Sequence, residues 1–386
     1  MFATKTATPE LIRMGSMRDM LRLPGPCVTV LLPPYHPGEP GGSPASLLRG
    51  HVQEAARQLA ERGSSKSANS NLLQPLEELA QEAAFAAGSG WSQVIFRSPE
   101  TLEHFYLAQP VPASLTISGC FTIRRVSAEF VSPRLFYILA LAKSGVALVR
   151  CAGLHAEPVK LPHGVPETLE EALELEPPDH DLQNRSVIRG ESTGAMHGVR
   201  FGTGSGRERQ QAHLADYYKL VDRGIQEFLQ EPEIPLVLAG VKEDVALFRS
   251  VSHNPRLIKG EIAGSLAVSA DLTPVLQLAY ALLREAAVER QAAALKDAHE
   301  RVAPTRFSIH PDEIVHAAFA GRVAHLFLNQ EAKRVDVFER GNYRSWGQEE
   351  LLNLAAVQTV IHHGKYCELP PDAMPGGAAA AALMRY

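Results

Sequence analysis

A glycine-rich stretch followed at once by a helical sequence is the feature that most constrains this chain. Residues 184–206 mix basic side chains such as Arg189 and His197 with six glycines: Gly190, Gly194, Gly198, Gly202, Gly204 and Gly206. Glycine permits backbone angles that other residues avoid, so this segment, named here the glycine-rich loop, is predicted to be mobile and basic. A surface loop without a function is the alternative interpretation.

The sequence after the glycine-rich loop predicts a helix that anchors the loop. Across residues 207–229, apolar side chains recur at three- and four-residue intervals, which indicates the packed face of an amphipathic helix. These side chains are Leu214, Tyr217, Tyr218, Val221, Ile225 and Phe228. A mobile loop on an anchored helix is suited to probing a partner.

The length and net charge of the chain limit its possible domain organisation and functions. At 386 residues, two or three domains are expected. The net charge of −5 argues against a protein whose entire surface binds nucleic acid, so RNA contacts would come from local patches. Residues 1–70 carry eight Lys and Arg against five acids, and residues 197–225 carry five against three.

Several other classes of site are poorly supported. The four cysteines have no paired spacing, and the adjacent His362 and His363 lack a second cluster that would complete a metal site. The glycine spacing at Gly202, Gly204 and Gly206 matches neither nucleotide-binding motif. We therefore expect no cofactor and no metal. No apolar run has membrane length, so a cytoplasmic protein without membrane contact is expected.

The order of predicted elements indicates a mixture of α/β and α+β folds in three domains. Residues 1–130 form an α+β domain with a strand at 27–32, helices at 17–23, 47–62 and 72–87, a polar loop at 63–71, and strands at 93–96, 102–107 and 120–126. Residues 131–270 form a middle domain with a hairpin at 135–142 and 146–151, the glycine-rich loop, a strand at 235–239 and a helix at 242–251. Residues 271–386 form a C-terminal α/β sandwich with helices at 272–301 and 348–361 and strands at 323–328 and 366–369.

Several sequence pieces, in order along the chain, carry a family resemblance. They are VTVLLPP at 28–34, LVLAG at 236–240, IVHAAFAGRVAHLFL at 314–328, and the closing Pro375-Gly-Gly with Leu383-Met-Arg-Tyr386. Together they resemble the archaeal and eukaryotic peptide chain release factors and the rescue factor Pelota, and most of all their divergent bacterial homologues. The resemblance implies a ribonuclease-H-like middle domain, a C-terminal domain akin to kink-turn-binding ribosomal proteins, and the ribosome, with its rRNA and tRNA, as partner.

The chain departs from this family at the motifs that carry its chemistry. Release factors hold a Gly-Gly-Gln sequence at the tip of the middle-domain loop, and no Gly-Gly-Gln occurs here. Gln210 and Gln211 follow charged residues that favour helix, so they are not expected at an extended tip. Lys66 and Ser67 are the two residues that match a stop-codon-reading loop.

Two hypotheses follow. The first is a non-catalytic ribosome-binding factor that acts at the A site in rescue or dormancy. The second is a peptidyl-tRNA hydrolase that uses Gln210 or Gln211. The loop sequence favours the first, with no catalytic residue and with a translational GTPase left open as a further partner. The predicted RNA-binding residues are Arg200, Gly202, Gly204, Gly206, Arg207, Arg209, Gln210 and Lys66.

Overall fold

The computed structural model describes residues 10–23, 25–38, 42–87, 90–175, 204–229, 233–264, 272–332 and 351–386. Its described part is a mixed α/β protein, as the sequence predicts, and it contains three β-sheets. The chain forms two compact units. Unit 1 combines residues 1–132 with residues 283–386, and unit 2 is residues 133–282. The division into three domains stays a prediction, because unit 1 joins the first predicted domain to most of the third.

The N-terminal part of unit 1 is built around one buried strand. Strand β1 (Cys27–Leu32) lies inside an antiparallel sheet of order β3-β2-β1-β4, with β2 (Ser92–Arg97), β3 (Leu102–Leu107) and β4 (Ser114–Ser118). Helices α1 (Met14–Leu21), α2 (Pro44–Glu61), α3 (Lys66–Leu79), α4 (Ala83–Ala87) and α5 (Ala128–Val131) complete it. Side chains on β1 alternate between two apolar clusters, because successive residues of a strand point to opposite faces.

Two sequence predictions in this region are wrong. The predicted loop at 63–71 ends early, since Ser65 caps α3 by accepting a hydrogen bond from the Ala68 N–H at 3.2 Å. Residues 120–126 do not form a strand, and β4 pairs with β1 instead. The backbone of residues 121–123 is bonded outside the sheet, where the Asn353 side chain accepts from Ile123 N–H and donates to Phe121 C=O.

Unit 2 is a five-stranded sheet of order β7-β6-β5-β8-β9. Its strands are β5 (Leu135–Ala142), β6 (Gly145–Ala152), β7 (His155–Val159), β8 (Leu236–Gly240) and β9 (Leu257–Ala263), and its helices are α6 (Leu169–Leu175), α7 (Gly204–Phe228) and α8 (Lys242–Val251). The first three strands are antiparallel, and β8 and β9 run parallel to β5. The predicted hairpin, the strand before Gly240 and helix α8 are confirmed.

The C-terminal part of unit 1 holds the third sheet, of order β10-β13-β11-β12. The long helix α9 (Thr273–Arg301) precedes β10 (Phe307–Ser308), α10 (Pro311–Phe319), β11 (Val323–Asn329), α11 (Leu351–Ile361), β12 (Lys365–Leu369) and β13 (Ala380–Met384). The predicted helix at 348–361 corresponds to α11, and nearly every side chain of α11 is buried.

One apolar core joins the two segments of unit 1. It combines side chains from α1, β1 and β2 with side chains from α10, β11, α11, β12 and β13. Its fully buried members include Ile12, Met17, Phe96 and Phe121 from the first segment and Leu326, Leu352, Val360 and Tyr366 from the second. The two segments therefore stabilise each other. Within the described chain, no helix has the length and apolar character needed to cross a membrane.

Candidate functional site

Helix α7 is the base that the sequence predicts for the glycine-rich loop. Leu214, Tyr217, Tyr218, Val221 and Ile225 are buried in the core of unit 2. Phe228 was predicted on the same face, but it is 40% exposed and Leu229 occupies the core in its place. Leu229 continues the helical backbone pattern, since its N–H donates to the Ile225 carbonyl at 2.9 Å.

The chain segment before α6 holds α7 in position. The Tyr217 hydroxyl donates to the carbonyl oxygens of Pro166, at 3.2 Å, and Glu167, at 2.9 Å. Burial raises the pKa of this hydroxyl, so it stays protonated and available as a donor. A β-carbon added to Gly224 would lie 2.0 Å from Val165 Cγ2. The absence of a side chain at Gly224 is what lets α7 approach this segment.

That close approach predicts a large contrast between two helical glycines. Gly224→Ala should destabilise the protein by about 1 to 3 kcal/mol, because overpacking outweighs the better helix propensity of alanine. Gly50→Ala in α2 is the matched control, since a β-carbon there would meet nothing within 4 Å. It should stabilise by about 0.5 to 1 kcal/mol. Urea unfolding of both variants measures the contrast, and equal effects would contradict the proposed contact.

A buried carboxylate ties α7 to α8. Asp222 is 5% exposed and accepts hydrogen bonds from Ser252 Oγ at 2.7 Å, Gln226 Nε2 at 2.8 Å and His253 N–H at 3.3 Å. These donors satisfy both carboxylate oxygens, which makes burial of the charge tolerable. The base helix is therefore fixed at both flanks.

The structure describes only part of the predicted site. Arg200 and Gly202 lie outside the described residues. Gly204 and Gly206 belong to the start of α7 rather than to the loop, so the helix begins three residues earlier than predicted. Gln210 lies on this helix and is exposed.

The remaining predicted residues fall in both units. Arg207 and Arg209 are also in α7, although their side chains lie outside the described set. Lys66 is the first residue of α3 in unit 1, is exposed, and is helical rather than part of a loop.

A buried cysteine–histidine pair in unit 1 is not a nucleophilic site. Cys367 Sγ lies 3.8 Å from His325 Nε2. Burial raises the pKa of Cys367 to about 12, and burial with the charge of Lys365 lowers the pKa of His325 to about 4. Both groups are neutral at neutral pH, so no thiolate is available. Among the described side chains, no three of His, Cys, Asp or Glu come together as metal ligands.

Comparison with known families decides the relationship. Residues 135–322 match the model of bacterial archaeo-eukaryotic release factor family 3. Over these residues the chain is a homologue of the archaeo-eukaryotic release factors. This match begins at the first residue of β5 and includes α7, so it contains the base helix and the glycine-rich loop. No curated protein matches the chain.

Solved structures similar to this release factor homologue come from the same group. An archaeal translation termination factor, aRF1, is 11% identical, with 97% of this chain and 99% of that chain covered and a TM-score of 0.24. Archaeoglobus fulgidus Pelota is 10% identical, with 77% and 80% covered and a TM-score of 0.35. A ribosome-bound archaeal Pelota with ABCE1 is 10% identical, with 77% and 78% covered and a TM-score of 0.31.

Sequence analysis missed a third basic region of this homologue, near the end of the chain. Residues 351–367 and 373–386 contain Lys365 and Arg385 and no acidic residue. The signal was available in the sequence as an absence of Asp and Glu. It was hidden because the cations come from segments far apart in the chain, including Arg22 and Arg322.

Proposed function

We propose that this protein is a ribosome-binding translation factor that does not hydrolyse peptidyl-tRNA and that acts at the A site in ribosome rescue or dormancy. The observation that carries the proposal is the match of residues 135–322 to a release factor family. The archaeal Pelota to which the chain is similar is described as ribosome-bound. The ribosome, through its rRNA and tRNA, is the proposed partner, and a translational GTPase is a further proposed partner.

The architecture of unit 2 supports a ribonuclease-H-like middle domain. Three antiparallel strands followed by two strands parallel to the first give the order β7-β6-β5-β8-β9. Helix α7 packs on this sheet through Tyr217, Tyr218 and Val221. A rigid base of this kind suits a loop that enters a ribosomal site. The predicted RNA-contacting residues of the loop, Arg200, Arg207 and Arg209, stay part of the proposal.

The position of the glutamines supports the non-hydrolytic form of this function. In release factors, as the family resemblance implies, a glutamine at a two-glycine tip positions water against the ester carbonyl. Gln210 and Gln211 instead follow the start of α7 at Gly204, and both are exposed on the helix. At 1.5 Å per residue, Gln210 lies about 9 Å along the helix from Gly204. Catalysis by positioning is lost when the side chain is displaced by even about 1 Å.

Co-sedimentation and peptide release test the proposal together. The purified protein should co-sediment with ribosomes that carry peptidyl-tRNA and should release no peptide above the spontaneous rate. Arg200→Ala with Arg207→Ala and Arg209→Ala should weaken binding and lower its salt slope by about 0.7 to 0.9 per lost phosphate contact.

Two control variants separate the hypotheses. Arg49→Ala with Arg290→Ala and Lys296→Ala removes the same charge from exposed positions of unit 1 and should leave the slope unchanged. Gln210→Ala with Gln211→Ala should also leave binding intact. Peptide release that disappears in the glutamine variant would establish the hydrolase instead, and failure to co-sediment would refute the ribosome-binding function.

A further inference from the structure

Two guanidinium groups meet the C-terminal end of helix α11. Arg22, just after α1, donates from Nη2 to the Ile361 carbonyl at 3.3 Å. Arg385, just after β13, donates from Nη2 to the His362 carbonyl at 2.6 Å. Segments from opposite ends of the sequence therefore place two cations at one point of unit 1.

Further cationic residues lie beside the C-terminal end of α11 and together form a surface. The Arg385 backbone N–H donates to the Arg322 carbonyl at 2.8 Å, which brings Arg322 beside it. Gly321 approaches the His362 ring so closely that an added β-carbon would lie 3.2 Å from Nδ1. Lys365 begins β12, three residues after His362. We name the surface formed by Arg22, Arg322, His362, His363, Lys365 and Arg385 the basic edge.

Helix capping accounts for only part of this arrangement. Cations near a helix C-terminus stabilise the last carbonyl groups, each by about 0.3 to 1 kcal/mol. Arg22 and Arg385 each use one nitrogen for this purpose, whereas a guanidinium offers five N–H donors, and both side chains are exposed. Arg322 and Lys365 are exposed and form no side-chain hydrogen bond or ion pair with any other described residue. Their charges are directed to solvent.

Acidic residues are sparse in three segments that contribute to the basic edge, although Asp19 lies three residues before Arg22 and Glu313 lines the same pocket as Arg322. Residues 314–330, 351–367 and 373–386 contain no Asp or Glu, although the whole chain carries a net charge of −5. Separation of charge of this kind creates a local positive potential that attracts polyanions.

The chemistry of the edge favours an RNA backbone over an anionic membrane. The planar donors of arginine match phosphate geometry, and an exposed aromatic ring beside them can stack on a base. Tyr386 is such a ring, since it is 73% exposed and follows Arg385. A membrane surface would require several exposed apolar side chains beside the cations. The other large exposed hydrophobic residues described are distributed over unit 2: Leu173, Leu220, Phe228, Val241 and Leu278.

We infer that the basic edge is a second RNA-binding surface, which contacts phosphate groups independently of the glycine-rich loop. The inference rests on the proposed function for the source of the RNA, because a ribosome would supply it. The contact itself requires only a nucleic-acid backbone. It can therefore be measured with isolated RNA, even if the protein does not bind ribosomes.

A fluorescent RNA hairpin of arbitrary sequence is the probe, titrated with the full chain over a range of KCl concentrations. Arg322→Gln with Lys365→Gln removes two exposed cations whose side chains form no described hydrogen bond or ion pair, so the fold should be retained. The slope of log affinity against log salt should fall by about 1.4 to 1.8, which corresponds to two phosphate contacts. The matched control, Arg49→Gln with Lys296→Gln, removes the same charge from exposed positions on α2 and α9 and should leave the slope unchanged.

A second pair of variants tests whether the charge at position 385 carries the effect. Arg385→Gln should lower the salt slope, whereas Arg385→Lys should preserve it, because the lysine keeps the charge.

Equal slopes for the Arg322/Lys365 variant and its control would overturn the inference. So would binding to vesicles of phosphatidylserine and phosphatidylcholine without binding to the hairpin. Hairpin binding that depends on the edge, in a protein that does not co-sediment with ribosomes, would refute the proposed function and support the RNA surface.

Discussion

Glu368→Ala is expected to destabilise unit 1 by about 3 to 5 kcal/mol, because it removes the carboxylate that pairs with the buried Arg124 guanidinium. Arg124 Nε donates to Glu368 Oε1 at 2.6 Å, and the two side chains are 9% and 12% exposed. Burial raises the pKa of Glu368, while the Arg124 guanidinium opposes that shift. Arg124 also donates to the Asn329 carbonyl at 3.0 Å, so its head group is held in place when the carboxylate is removed.

The substitution at Glu368 lies in the second segment of unit 1, residues 283–386. The experiment measures unfolding of the first segment, residues 1–132. Trp91 is buried in the first segment and reports its unfolding in urea when Trp346→Phe removes the other tryptophan. A lower urea midpoint at Trp91 would demonstrate that the shared core is energetically one unit. Glu157→Ala is the control, because its ion pair with Arg150 is exposed and should contribute about 0 to 1 kcal/mol. A Trp91 transition unmoved by Glu368→Ala would contradict the coupling of the segments.

Arg97→Gln is expected to cost about 3 kcal/mol, because it removes a buried guanidinium that donates to three backbone carbonyl groups. Arg97 is 6% exposed and donates to the carbonyls of Leu72 at 2.9 Å, Asn71 at 2.8 Å and Thr101 at 3.1 Å. The Asn71 carbonyl needs this donor because residue 75, four positions later in α3, is proline and has no N–H. The buried cation therefore compensates for a proline inside a helix.

A double-mutant cycle tests this compensation. Pro75→Ala restores the N–H that can donate to the Asn71 carbonyl, so it should stabilise the Arg97→Gln variant more than it stabilises the wild type. Urea unfolding of the four proteins gives the coupling free energy. Equal effects of Pro75→Ala in both backgrounds would show that Arg97 does not serve this carbonyl.

Local sequence signals predicted several elements, including one whose strand partners are distant in the chain. Strand β1 and helix α8 were predicted with the bounds that the structure has, and the β5–β6 hairpin nearly so, because their apolar patterns agree with their environment. Strand β13 was missed: its sequence is AAALM, alanine has low strand propensity, and the strand exists because its backbone pairs with β10 and β11. Residues 120–126 have the composition of a strand, but tertiary contacts from Asn353 take their backbone groups.

Sites built from distant residues lay beyond sequence analysis. The base helix could be predicted, since Leu214, Tyr217 and Val221 repeat at helical spacing within one segment. Nothing local relates Arg124 to Glu368, which are 244 residues apart, or Arg22 to Ile361, which are 339 apart. Such pairs depend on the folded arrangement of unit 1, and a single sequence carries no measure of it.

The shared core of unit 1 has a consequence for how the protein folds during its synthesis. The segment that contains α1 and β1 leaves the synthesising ribosome long before the strands that cover it, and the Arg124–Glu368 pair spans 244 residues. At a synthesis rate of about 5 to 20 residues per second, the delay between synthesis of Arg124 and synthesis of Glu368 is roughly 10 to 50 s. During that interval Met17, Phe96 and Phe121 have no partner from the C-terminal segment to exclude water, and the nascent chain is a substrate for chaperones that bind apolar surface.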